Sequence, residues 1–453
     1  MNETSTMKRI GCVRMTLGGA AALAGFALGG GTILAPSVFA QAPQRSTQSA
    51  RPTNDPALDS LLAKAQTDID NKDYEAAAEK YQTYLAARPQ DAQIHYQLGY
   101  AYTALQKMTE ARAEYQKATD LDAKLAPAFL NLGLTELSSD PAAAATALSR
   151  AAELMPDQAR PKLLLAMALA HSGKTDDAIA QYQGAEKIDP QDVNIRLGLA
   201  QTLRAAKRTT DAEREFRAVV ALDGQNAQGH LGLGECLLDE KRLDEGANEL
   251  GVYLQMRPND EQVRLARVSA LIDATKYDVA LAELGQGSAD AQDSVPALKL
   301  RFDALEGAKR EDEALATLTR AETLAPQDAE IHSKLGQLYL GKKDYPRAAL
   351  EFLAVVKIQP KNTQATALLA DCEYLGKDYA DALKAIDLLA QEETLPTRTL
   401  FVRADCYDKI GEKPEALDAY EKFLAANTDR NNDMYFAASE RTRDLRRQLG
   451  KKQ

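Results

Sequence analysis

A period of 34 residues runs through most of this chain and constrains its fold more than any other feature. The segment at 71–91 recurs at 172–192 and at 341–362, each copy ending in Pro, then Gln or Lys, then Asp or Asn. Carried through in register, repeats begin at 58, 92, 126, 159, 193, 227, 261, 295, 329, 363 and 397, every interval being 34 apart from one of 33. Eleven repeats therefore fill 58–430 of the 453 residues. Such a repeat is one supersecondary unit that cannot bury its apolar face alone and gains a core by stacking on its neighbours. A length that would otherwise suggest about three domains becomes compatible with one continuous stack. Alanine abounds and Trp is absent, which favours helices over sheets.

Within a repeat, small and bulky positions alternate in a fixed way. Position 20 is Ala77, Ala111, Ala144, Ala178, Ala212, Gly246, Ala280, Ala314, Ala348, Ala382 and Ala416, and position 8 is mostly small, as at Gly99, Gly133, Gly234 and Gly336. Position 24 is bulky throughout, for example Tyr81, Tyr115, Phe216 and Phe352. Small residues at 8 and 20 let two helices approach closely, and the residue at 24 fills the gap to the next repeat. Pro89, Pro190, Pro258, Pro326 and Pro360 stop the second helix, while Asp91, Asp192, Asp260, Asp328 and Asn362 cap the next first helix. Asp73, Asp344 and Asp378 serve the same purpose for second helices.

This pattern resembles the tetratricopeptide repeat (TPR), a pair of antiparallel helices. The resemblance implies an all-α fold, a right-handed α-solenoid of helix-turn-helix repeats, with residues 431–453 as a C-terminal capping helix and tail. In the cap, Met434, Ala438, Leu445 and Leu449 are expected to face the last repeat, with Arg441, Arg443, Arg446 and Arg447 largely outward. Repeats 7 and 8 depart from the pattern together, with Arg267 and Arg301 at position 7 and Val268 and Phe302 at position 8. With the Gly285-Gln286-Gly287-Ser288 break, this suggests either a joint near 285–294 or a drifted repeat that still stacks.

The flanks read as an address and a tether. Lys8, Arg9 and Arg14 precede an uncharged Gly/Ala/Leu-rich stretch that closes on Val38-Phe39-Ala40, the pattern of a signal peptide cleaved after residue 40. Its many glycines argue against a permanent anchor. Residues 41–57 are polar and proline-spotted, as disordered linkers are. The expected location is periplasmic or secreted. The chain carries 55 basic and 66 acidic residues, a net charge of −11. Losing residues 1–40 removes three bases and one acid and leaves it more acidic still, which excludes a nucleic-acid partner.

Catalytic signatures are absent: there is no G-x-S-x-G, P-loop, H-E-x-x-H or G-x-G-x-x-G sequence. His95, His230 and His332 all occupy position 4, in repeats too far apart to share one metal, and read as packing residues. Cys236, Cys372 and Cys406 all occupy position 10 and read as small hydrophobes. With repeats filling 58–430, no catalytic domain has room. No enzyme activity, cofactor or metal is expected.

The resemblance places a partner-binding groove on positions 2, 5, 9 and 12 of each first helix, a spacing that shares one helical face. In repeats 2 to 4 these rows supply Tyr96, Tyr100, Leu130, Leu134, Leu137, Leu163 and Met167, an apolar stretch suited to a peptide or helix of another protein. The other reading is that this stripe packs between neighbouring helices. Repeats 8 to 11 supply Asp303, Glu306, Glu330, Asp371, Asp405 and Asp408, either a second contact surface or a solvated acidic wall. The carboxylate clamp of chaperone-binding TPR proteins is not matched, because Lys299 is followed by Asp303 where that clamp has Asn. The resulting expectation is an exported, non-enzymatic scaffold for an envelope or secreted protein, self-association being left open. The alternative is an accessory of polysaccharide or cell-envelope assembly and export.

Overall fold

The structure is a computed structural model and describes residues 55–450. The signal peptide expected over residues 1–40, residues 41–54 of the expected linker and the last three residues lie outside the described residues. Among the described residues there are 24 helices and no strand. Each repeat is a first helix (A), a tight turn and a second helix (B), as in Ala92–Ala104 and Met108–Leu121 of repeat 2. The chain divides into two compact units, to Met256 and from Arg257. Repeats 1 to 6 belong to the first, and repeats 7 to 11 with a closing helix, Asp433–Gln448, to the second. Within each unit every helix packs on its chain neighbours, the stacking of an all-α solenoid.

The caps form where the sequence places them. Asp91 Oδ1 accepts from the Ile94 amide, Asp344 Oδ1 from Arg347 and Asn362 Oδ1 from Ala365, at 3.2, 3.2 and 3.0 Å. Each satisfies an amide that the first turn leaves without a partner. The turn between A and B is equally regular. Position 15 is left-handed at Lys72, Gln106, Gly173, Lys207, Lys241, Thr275, Lys309, Lys343, Lys377 and Gly411, which reverses the chain after helix A. The repeat at 126 lacks this residue: helix Ala126–Glu136 leads through the turn at 137–139 to Asp140, whose carboxylate caps helix B at 3.0 Å. That deletion is the single 33-residue interval.

Packing between A and B rests on the small and bulky positions. Every alanine at position 20 is fully buried, and each residue at position 24 is 3% exposed or less. The glycines at position 8 admit that bulk. A Cβ on Gly99 would come within 2.7 Å of the Tyr115 ring, and one on Gly336 within 2.9 Å of Phe352.

Repeats 7 and 8 reach the same density by another route. Helix Tyr277–Leu284 has 8 residues where the other B helices have 14, and a short helix, Ala289–Gln292, fills the gap. Gln292 Nε2 donates to the carbonyls of Gly285 and Gly287 at 3.0 and 2.8 Å, bracing the break. Arg267, at the position of the missing leucine, pairs with the buried Glu283, which also accepts from Arg264 at 2.5 Å. Val268 and Phe302 are buried. The break at 285–294 lies inside the second compact unit, away from the boundary at 256.

Glu373 in helix Thr363–Leu375 works against the fold. Its Oε2 is buried without a partner, and burial, with Asp381 and Asp378 nearby, pushes its carboxyl up to about 7. The folded chain therefore holds a proton that the unfolded chain releases from its ordinary value of 4.5. Stability from this residue is intact below that value and is lost as pH rises towards 7.

Two outcomes are expected. Gly336→Ala lowers the thermal midpoint by circular dichroism, because overpacking against Phe352 costs about 1–3 kcal/mol and alanine's better helix propensity returns only ~1 kcal/mol; Phe352→Ala, which empties the slot, costs about 3–5 kcal/mol. Glu373→Gln melts higher than the parent at pH 8, by roughly 1–2 kcal/mol after allowance for partial exposure. At pH 4 the two melt together. A constant difference across pH contradicts the assignment.

Candidate functional site: the faces of the A helices

In the first compact unit the apolar row divides by burial. Tyr96, Leu130, Leu134 and Leu137 are buried within the stack. Tyr96 lies 6.0 Å from the Tyr115 ring, and burial pushes its hydroxyl up to about 12. These four residues are packing, the second of the two readings the sequence leaves open. Tyr100, Leu163 and Met167 are half-buried, with their inner surfaces against the core. Leu62, Leu197 and Leu231 are half-buried too. Tyr74, which sequence reasoning does not single out, packs edge-on to Tyr100 at 6.3 Å and holds that ring.

In the second unit the acidic row is almost wholly engaged. Asp303 accepts from Lys334 Nζ at 2.5 Å, and Asp371 pairs with Arg398 at 3.3 Å. Burial raises the Asp371 carboxyl, and Arg398 opposes that rise. Glu330 accepts from Lys299 at 2.6 Å. Asp405 takes the Tyr374 hydroxyl at 2.9 Å and the Tyr420 hydroxyl at 3.3 Å. Asp408 receives Arg441 through two bonds of 2.6 Å each. Glu306 alone among the expected acids is exposed with no side-chain hydrogen bond or ion pair to the described residues. These carboxylates tie each repeat to the next; they do not form an open acidic wall.

The closing helix differs from expectation in the same way. Arg441 reaches back to Asp408 and Arg446 to Glu421 at 2.9 Å, so both staple the cap to repeat 11. Ala438 and Leu445 are buried beneath it, whereas Met434 is exposed and Thr442 takes a buried place. Arg443 and Arg447 face outward.

A second set of polar contacts lies between the A and B helices. His95, His230 and His332 are buried, and each Nδ1 meets a glutamate of its own repeat, Glu114, Glu249 or Glu351, at 2.5, 2.6 and 2.7 Å. Each Nε2 meets a carbonyl of the preceding linker, Pro89, Gly224 or Pro326, at 3.1, 3.2 and 3.1 Å. Arg196 and Arg264 fill the same slot, facing Glu215 and Glu283. Position 23 carries the glutamate each time, a spacing of 19 residues that sequence inspection could have found. Cys236, Cys372 and Cys406 are buried free thiols, each pushed by burial up to about 12 and thus unreactive. No helix among the described residues is long and apolar enough to cross a membrane.

The structure of YrrB, described as a TPR protein with an unusual peptide-binding site, superposes with a TM-score of 0.38 at 18% identity, over 41% of this chain and 97% of that one. MamA from Desulfovibrio magneticus RS-1 gives 0.36 at 19%, over 38% and 99%. Yeast Tom70 gives 0.31 at 12%, over 87% and 96%. No curated protein sequence matches. Tetratricopeptide repeat models match residues 62–126 and 138–193, and 169–218, 203–270 and 305–372, together more than half of the chain. With the repeat register, caps and packing positions described above, this chain belongs to the tetratricopeptide repeat family.

Proposed function

We propose that this chain is an exported, non-enzymatic scaffold that binds an apolar peptide or helical segment of an envelope or secreted protein along its A helices. TPR repeats are protein-interaction modules, generally without catalytic activity. The observation that carries the finer reading is the half-buried apolar row of the first compact unit, Leu62, Tyr100, Leu163, Met167, Leu197 and Leu231. Apolar side chains held by a core on one side and open on the other lose little entropy on binding. Tyr100 adds a hydroxyl to that surface. The acidic row of the second unit, Glu306 apart, contributes stability rather than partner contacts, because its other charges are already matched. The charged N-terminal stretch and apolar segment ending at Ala40 support export.

A photo-crosslinking residue in place of Tyr100 or Met167 should capture one protein partner in the native envelope. The same probe at Lys117, exposed on helix B of repeat 2, should not. Equal capture at all three positions rejects the groove. Tyr100→Ala should weaken the complex by about 2 kcal/mol, the scale of an aromatic anchor, without lowering helicity. For export, intact-mass measurement of the fractionated protein should find a chain beginning at Gln41; an uncleaved chain in the cytoplasmic fraction refutes it.

A further inference from the structure

One of the buried histidine slots is unlike the others. At His332 a second carboxylate faces the ring: Glu322 Oε1 lies 3.9 Å from Nδ1, opposite Glu351 Oε2 at 2.7 Å. The ligand atoms of Glu322, His332 and Glu351 all lie within 4.8 Å of one another, and among the described residues this is the one His/Cys/Asp/Glu cluster so arranged. They come from three successive helices, Glu311–Leu324, Ala329–Gly341 and Tyr345–Ile358. His332 is 6% exposed. The Pro326 carbonyl, 3.1 Å from Nε2, takes the N–H of the neutral ring and turns the Nδ1 lone pair towards both glutamates. A metal-binding histidine is held in the same way, its other N–H fixed on a carbonyl.

The other repeats supply internal controls. The place of Glu322, position 28 of the preceding repeat, is Leu85 before His95 and Val220 before His230. Those rings each face one carboxylate, Glu114 or Glu249. A carboxylate at position 28 recurs before one other slot, where Glu186 and Glu215 flank Arg196 at 2.6 and 2.9 Å. There a permanent cation answers both, and its Nε donates to the Pro190 carbonyl at 2.9 Å. At His332 the same carboxylate pair meets a ring that is neutral when its Nδ1 is unprotonated. Among the described residues the Glu322 side chain has no other hydrogen-bond or ion-pair partner, and the Glu351 side chain none besides His332.

We propose that Glu322, His332 Nδ1 and Glu351 bind one divalent transition-metal ion of the zinc class, which clips repeats 8 and 9 together. One imidazole nitrogen and two carboxylate oxygens form a ligand set suited to zinc, with metal–ligand distances of about 2.0–2.2 Å. The two carboxylates balance the divalent charge. Glu322, with 32% of its side chain exposed, leaves a solvent side from which water supplies the fourth ligand. The ion's work here is structural: it ties helix B of repeat 8 to both helices of repeat 9, and binding adds to folding stability.

The test uses the purified full chain, without a histidine tag and stripped with chelator, titrated with zinc chloride at pH 7.5. Calorimetry should give one site per chain, and zinc should raise the thermal midpoint. Glu322→Val copies the Val220 environment and keeps the His332–Glu351 pair, so the chain folds; its zinc affinity should fall at least about tenfold. His332→Arg copies the Arg196 slot; it should hold both carboxylates without metal and bind no zinc. Cobalt(II) should give the intense visible bands of a four-coordinate ion in the parent and not in either variant. Absence of zinc binding in the parent, or binding of equal affinity in both variants, overturns the proposal. Neither result touches the groove, which lies on repeats 1 to 6.

Discussion

The contact on which the rest of this structure depends is the bulky side chain at position 24 pressed against the small residue at position 8. Gly99 with Tyr115 and Gly336 with Phe352 are so close that even a methyl group on the glycine would overlap the ring. With alanine at position 20 on the other side, this contact sets how near helices A and B come. That distance brings position 4 of helix A within hydrogen-bond reach of position 23 of helix B, and of the preceding linker carbonyl. The polar interior of each repeat follows from an apolar constraint.

The architecture could be read in the sequence because its determinants are local. Pro at the end of helix B and Asp or Asn two residues later encode the linker, and the caps form at Asp91, Asp344 and Asn362. The left-handed residue at position 15 could not be read so easily. Lysine occupies it in six repeats, and a lysine carries no sign of positive φ. Only alignment shows it, and only the deletion in repeat 3 shows what that residue is for.

The binding face was less legible, for a geometric reason. Spacing places Tyr96, Leu130, Leu134 and Tyr100 on one helical face, but spacing within a helix does not say how far the next helix covers that face. The structure buries the first three and half-exposes Tyr100. Charge misled in a related way. Counting acids along positions 9 and 12 ignores partners one repeat ahead: Lys334 is 31 residues after Asp303, and Arg441 is 33 after Asp408. In a solenoid the neighbour that neutralises a charge sits about one period away, so a charge row has to be read against the row of the following repeat.

The buried ionic slots show how one sequence can supply its own comparison. The five repeats with Glu at position 23 carry His95, Arg196, His230, Arg264 or His332 at position 4, and none of the other six carries His or Arg there. A buried cation without its carboxylate would be strongly destabilising, so the two positions change together. Where the glutamate is missing, position 4 turns apolar or short, as at Leu61, Phe129, Leu298, Thr366 and Leu400, or keeps the flexible Lys162. Position 28 adds a second choice to this coupling. It is apolar before His95, His230 and Arg264, as Leu85, Val220 and Leu254, and acidic before Arg196 and His332, as Glu186 and Glu322. An extra carboxylate beside Arg196 is matched by a fixed positive charge. Beside His332 it is matched only when the imidazole is protonated or when a cation enters, so a single change of residue type turns a structural ion pair into a site with an affinity of its own.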